Sequence, residues 1–255
     1  MNVLIKPVIE RLKPYGELCY LSYAGSRTYG THTPVSDVDI QGFFIPNLEY
    51  LIGLKQVEQV ELNFKNVRGV LIEGTIFSIP KIFKLLSECN PNVLEMLWIR
   101  ESDMIYKNNV AEKVLANKDL FISKKVKHTF GGYAHAQLQR MKRVNINANL
   151  NPLRRQRREE FGYDTKNALH LIRILTMGYE ILVEKTLNVW REDREYLKAI
   201  LAGEYNFEYI QQLADKKFDL LEEAYIKSDL PEKVDYSKIE DLLKTIIIQK
   251  IKEQL

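Results

Sequence analysis

AGSRTYGTHTPVSDVDIQGFF, residues 24–44, joins two apolar runs through a polar turn. The run LCYLSY before it predicts a buried strand, and DVDIQGFFI, which alternates and is rich in β-formers, predicts a second. Gly25 and Ser26 therefore stand at the end of one strand, and Asp37-Val38-Asp39 at the start of the next. Residues two apart on a strand share a face, so Asp37 and Asp39 are expected side by side while Val38 turns into the core. Two anions held that close repel, and a divalent cation offsets the repulsion. Oxygen-only ligands suit Mg²⁺ or Mn²⁺.

The turn supplies the complementary half of such a site. Backbone N–H groups at a helix start form a phosphate cradle, and polar residues able to open a helix follow Gly25 and Ser26. Glycine lets a triphosphate approach the backbone, the Ser26 hydroxyl can donate to a phosphate oxygen, and Arg27 can neutralise charge. Nucleotidyl transfer needs an in-line nucleophile, a held triphosphate and two metal ions about 4 Å apart. A third carboxylate normally completes the metal pair. Glu73 is the candidate because it lies on a strand-like run that could flank Asp37 and Asp39. Glu58 and Glu61, in an ambiguous segment, are alternatives.

Outward from this core, Leu4, Val8, Ile9 and Leu12 recur at helical spacing until Pro14 and Gly16 stop the pattern. VLIEGTIFSI predicts a further strand leading into a helix over IPKIFKLLSEC, with Pro80 in its first turn, where a missing N–H costs nothing. NPNVLEMLWI predicts a short helix or strand. Beyond about residue 110, stripes at 3.6 periodicity take over: Val126, Phe130, Tyr133, Leu138 and Met141; Ala168, Ile172, Leu175, Tyr179 and Leu182; Phe207, Ile210, Ala214, Phe218 and Leu221; Ile239, Leu242, Leu243, Ile246 and Ile247. The expected fold is α+β, a mixed-sheet catalytic domain over 1–106 followed by a helical bundle over 107–255.

Gly-Ser, ten intervening residues and then Asp-Val-Asp-Ile resembles the pattern of the DNA polymerase beta nucleotidyltransferase superfamily and its minimal members. More narrowly, IFSIPKIFKLLSECNPNVLEMLW (76–98), GYDTKNALHLIRILTMGYEIL (162–182) and REDREYLKAILAGEY (191–205) resemble the RNA ligase-associated (YcgL-like) nucleotidyltransferases. The resemblance extends over most of the chain. It implies a sheet carrying the metal site and a helical domain closing over the nucleotide. By position, Gly25 and Ser26 would take the phosphates and Asp37 and Asp39 the metals, with Glu73 in the place of the later acidic residue. RNA repair is linked to that family by association, so the acceptor does not transfer with the motifs.

The second half adds electropositive groups. Lys166, His170 and Arg173 lie at i, i+4 and i+7, the spacing of one helix face that could meet a triphosphate or an RNA backbone. Arg154, Arg155, Arg157 and Arg158, with Arg140, Lys142 and Arg143 upstream, form a local basic run compatible with an RNA acceptor; Arg154 and Arg155 are the acceptor-binding candidates. His32, His128 and His135 lack metal-like pairing, and Tyr133, Tyr179 and Phe218 fit core stripes better than a stacking platform.

A formal charge of +3 over 255 residues is too small to argue nucleic-acid binding on its own. The two cysteines, Cys19 and Cys89, sit in apolar stretches without a metal-ligand or CxxC spacing, which fits core positions and a reducing cytoplasm. Lys and Glu interrupt the N-terminal apolar run too early for a signal peptide, and no window approaches the run of roughly 18 apolar residues that spans a membrane. The sequence thus points to an NTP-using enzyme, ATP favoured, with an RNA or protein acceptor. The rival class is a nucleotide or RNA sensor without turnover.

Overall fold

The computed structural model describes residues 4–33, 36–65, 69–142 and 152–254, the side chains of 152–154 and 254 excepted. Helix α1 (Ile5–Leu12) places Val8 and Leu12 on the face it shares with Leu4 and Ile5, and all four are buried. It packs on strand β1 (Gly16–Tyr23), which leads into the one-turn helix α2 (Ser26–Tyr29). Strand β2 (Val38–Pro46) returns beside β1, followed by α3 (Leu48–Leu51), β3 (Gln59–Lys65) and β4 (Leu71–Ser78). Then come α4 (Ile79–Ser87), α5 (Pro91–Leu94), a 3-10 turn over Glu95–Trp98, β5 (Met104–Lys107) and α6 (Asn109–Ala116). Pro80 lies in the first turn of α4, as its ring and missing N–H favour.

The five strands form one mixed sheet in the order β3-β4-β2-β1-β5, with β2 parallel to β4 and the other pairs antiparallel. One face is apolar: Leu21, Ile40, Phe44, Leu62, Ile72 and Ile76 pack with Val8 and Leu12 of α1. Burying these side chains, each worth about 1.5–3 kcal/mol, is the main force holding the sheet. The other face begins apolar, where Tyr20 stacks on Phe43 at 5.5 Å and donates its hydroxyl to the Met96 carbonyl at 3.2 Å. It turns polar toward the start of β2 and β4. A bulge between Leu18 and Tyr20 keeps Leu18 and Leu21 on the core face.

Contacts divide the chain into two units, Met1–Phe121 with Val234–Leu255, and Ile122–Lys233. The first holds the sheet and the last helix, α12 (Tyr236–Gln254), which packs on α4. The second contains α7 (Val126–Lys142), α8 (Pro152–Phe161), α9 (Thr165–Glu184), α10 (Arg194–Ala202) and α11 (Phe207–Lys227). Helix α9 is its centre, packed by α7, α10 and α11, and is buried on most sides because Ala168, Leu171, Ile172, Leu175, Ile181 and Leu182 occupy more than one stripe. Asp164 caps it, accepting from the Asn167 amide at 3.0 Å. Cys19 and Cys89 are both buried in the core, and burial pushes the Cys19 thiol up to about 12, away from the reactive thiolate.

Candidate active site

The site is assembled at the edge where β1 ends and β2 and β4 begin. Gly25 has φ of +64°, a conformation that side chains disfavour, and it lets the chain leave β1 and enter α2. A Cβ at Gly25 would lie 2.6 Å from Asp39 Oδ2, so the Asp39 carboxylate rests directly against the glycine backbone. The Ala24 amide donates to the Asp39 carbonyl at 2.9 Å, tying the turn to β2. Thr28 and Tyr29 donate their amides to the Gly25 carbonyl at 3.1 and 3.3 Å, so Ser26 and Arg27 supply the leading amides of this turn. The last turn closes through Thr31 N–H to the Ser26 carbonyl at 2.9 Å, and Gly30 completes the cap in the left-handed region.

The second carboxylate comes from the neighbouring strand. Asp39 and Glu73 are direct register partners across the parallel β2–β4 pair, and Asn63 of β3 completes the row. Adjacent strands lie about 4.8 Å apart, so the two acidic side chains stand on one face at neighbouring positions. Asn63 Nδ2 donates to Glu73 Oε1 at 3.0 Å and orients that carboxylate. Asp37 precedes the strand and is exposed. Among the described residues no three His, Cys, Asp or Glu side chains converge into a complete metal cluster. The donors nevertheless fit a hard divalent cation: carboxylate oxygens in one row beside a backbone cradle that a Cβ would fill.

The alternative third carboxylates are committed elsewhere. Glu58 pairs with Lys81 at 2.7 Å, and that hydrogen bond holds its carboxyl below the usual range. Glu61 accepts from Thr75 Oγ1 at 2.8 Å and Gln59 Nε2 at 2.6 Å, one register row farther from the turn. Arg27 lies on α2 with its guanidinium folded back toward the loop, donating from Nη2 to the Ser36 carbonyl at 3.4 Å. Lys166, His170 and Arg173 belong to α9 in the second unit. Lys166 is exposed and His170 half-buried, whereas Arg173 is buried and donates to Met177 Sδ at 3.1 Å. The 3.6-residue pitch does not keep i and i+7 equally exposed on a helix wrapped by several neighbours. Arg155 is partly buried on α8. Arg143 lies outside the described residues, as does the side chain of Arg154.

Two elements of the site are not evident from spacing. Tyr29, in α2, donates its hydroxyl to Glu95 Oε1 at 2.6 Å, and both residues are 5% exposed. This bond, spanning 66 residues of sequence, anchors the cradle helix to the 3-10 turn. Gln41 and Ser22 form the next row inboard of Asp39, buried and polar on the same face. Strand parity from Asp39 would have found Gln41; no sequence signal announces the Tyr29–Glu95 pair.

A Gly-Ser turn between paired strands, with Asp39 and Glu73 side by side, accompanies a family match that places the chain among the nucleotidyltransferases. The chain belongs to the RNA repair pathway DNA polymerase beta family (RlaP), whose family model matches residues 7–244. It is 34% identical over 80 residues to an uncharacterised 38.9 kDa protein from the nrdC–mobD intergenic region of enterobacteria phage T4. That match covers 30% of this chain and 24% of the relative, so the chain spans about a quarter of the relative's length. A solved nucleotidyltransferase-like protein from Exiguobacterium sibiricum 255-15 is similar over 87% of this chain and 73% of its own, at 11% identity and a TM-score of 0.33. No helix among the described residues is long and apolar enough to cross a membrane.

Proposed function

We propose that the chain transfers a nucleoside monophosphate from an NTP to an acceptor hydroxyl, with RNA the favoured acceptor. The observation that carries this reading is the Asp39–Glu73 register pair set against Gly25, since it puts anionic metal ligands beside a phosphate cradle. Family membership supports both nucleotidyl transfer and an RNA setting. In this reading the amides and hydroxyl of Gly25 and Ser26 hold the β- and γ-phosphates. Arg27 contributes positive charge at the same turn. Asp37, Asp39 and Glu73 would hold two Mg²⁺, which, when bound, lower the acceptor's proton affinity and neutralise charge on the leaving pyrophosphate. Asn63 fixes the orientation of Glu73, and the Tyr29–Glu95 bond fixes that of the cradle. The acceptor oxygen attacks the α-phosphorus in line, and the bond to the β-phosphate oxygen breaks.

Arg154 and Arg155 are proposed to meet the acceptor, and Lys166 and His170 to add electropositive surface in the second unit. The test is incubation with α-labelled ATP, Mg²⁺ and RNA. Asp37→Ala and Glu73→Gln are each expected to lower transfer by at least about a hundredfold, with chelation abolishing it. Full transfer by either variant removes that residue from the ligand set.

A further inference from the structure

Gln41 is two residues beyond Asp39 on β2, so its side chain emerges on the same face, one row deeper under the site. It is 8% exposed, and its Nε2 is buried without a hydrogen-bond partner among the described residues. Its neighbours in the row are Ser22 on β1 and Thr75 on β4. Thr75 gives its hydroxyl to Glu61, and the Ser22 hydroxyl is itself buried without a partner among the described residues, so neither side chain is hydrogen-bonded to the amide. Burying an unsatisfied amide is costly, and a leucine or methionine would fill the same volume without that cost. The charged acceptors next along this face are the carboxylates of the Asp39–Glu73 row.

We infer that Gln41 is a positioning residue, whose amide N–H holds the Asp39 carboxylate in its ligating orientation when the acidic row gathers a divalent cation. This rests on the proposed metal site and extends it to a residue that touches neither metal nor substrate. The arrangement resembles the outer hydrogen-bonding shell that sets the direction of metal ligands, where loss of one partner weakens metal affinity about 10–100-fold. It also accounts for a polar side chain among the buried positions of a strand that are otherwise Val38, Ile40, Gly42, Phe43, Phe44, Ile45 and Pro46.

The experiment compares wild type, Gln41→Leu, Gln41→Met and Asp39→Asn by thermal melting without metal and by Mn²⁺ titration of the melting temperature. Metal-free Gln41→Leu and Gln41→Met should melt at or above the wild-type temperature, while the Mn²⁺ concentration giving half the shift rises about tenfold or more. A metal-free loss of stability in both variants overturns the inference, because it makes Gln41 an ordinary hydrogen-bonded core residue. An unchanged Mn²⁺ midpoint overturns it equally. The Asp39→Asn arm separates the two layers: if it abolishes the Mn²⁺ shift while Gln41→Leu leaves it intact, only the Gln41 assignment fails. If Asp39→Asn leaves the shift intact, the metal site itself is misplaced.

Discussion

Gly25 concentrates two constraints in one residue. Its φ of +64° and the 2.6 Å approach of Asp39 Oδ2 to a hypothetical Cβ mean that Gly25→Ala strains the backbone and displaces the carboxylate together. The backbone term is about 1–3 kcal/mol. A shift of the ligand on the order of 1 Å costs about a hundredfold in rate. Gly25→Ala is therefore expected to melt several degrees lower and to transfer label at about 1% of the wild-type rate per folded molecule. A variant that is destabilised yet fully active would show that the cradle tolerates the side chain. Tyr29→Phe tests the anchor: it leaves the buried Glu95 carboxylate without its 2.6 Å donor, which costs about 1–3 kcal/mol in urea unfolding. The place of Asp39 on a strand beside the Gly-Ser turn is legible in local spacing, whereas Asp37, expected beside it on that strand, precedes β2. Tyr29–Glu95 is not legible, because a contact between residues in separate elements leaves no periodic trace.

At the scale of elements, β1, β2, β4 and α4 follow from runs of apolar residues that the sheet buries on one or both faces. Strand β3 was ambiguous for a physical reason. QVELNFK buries only Val60 and Leu62, as an edge strand should, so its polar alternate residues dilute the apolar signal. Strand β5 spans four residues, too few for any period to show. Helix α9 was legible as a stripe, but periodicity did not say that its Arg173 face is also covered. The REDREY segment after α9 has a structural meaning in the second unit. Arg191 is buried, meets Glu180 at 2.8 Å and Asp193 at 2.9 Å, and donates to the Asn188 carbonyl. Arg191→Ala leaves a buried carboxylate uncompensated and should cost about 3–5 kcal/mol in equilibrium unfolding. A loss below about 1 kcal/mol would mean that solvent reaches the pair once the guanidinium is gone.

For the whole molecule, the sheet-bearing unit holds the proposed chemistry, while the recognisable basic run falls in the other unit. The +3 formal charge is too small to steer RNA by itself, so acceptor binding would have to rely on local clusters such as the arginines of α8. An RNA acceptor thus predicts transfer that falls steeply between 50 and 200 mM salt, values typical of phosphate-contact tests, with a slope reduced by about one when Arg155→Ala is introduced. A protein acceptor predicts a shallow dependence that Arg155→Ala leaves unchanged. The measurement that bears most directly on the account follows pyrophosphate release and label incorporation together, from each α-labelled NTP, with wild type and Asp39→Asn side by side. Mg²⁺-dependent label on the acceptor with equimolar pyrophosphate is expected from wild type, and loss of both from Asp39→Asn. Undiminished transfer by Asp39→Asn would contradict the account, as would nucleotide binding that never yields pyrophosphate with any NTP.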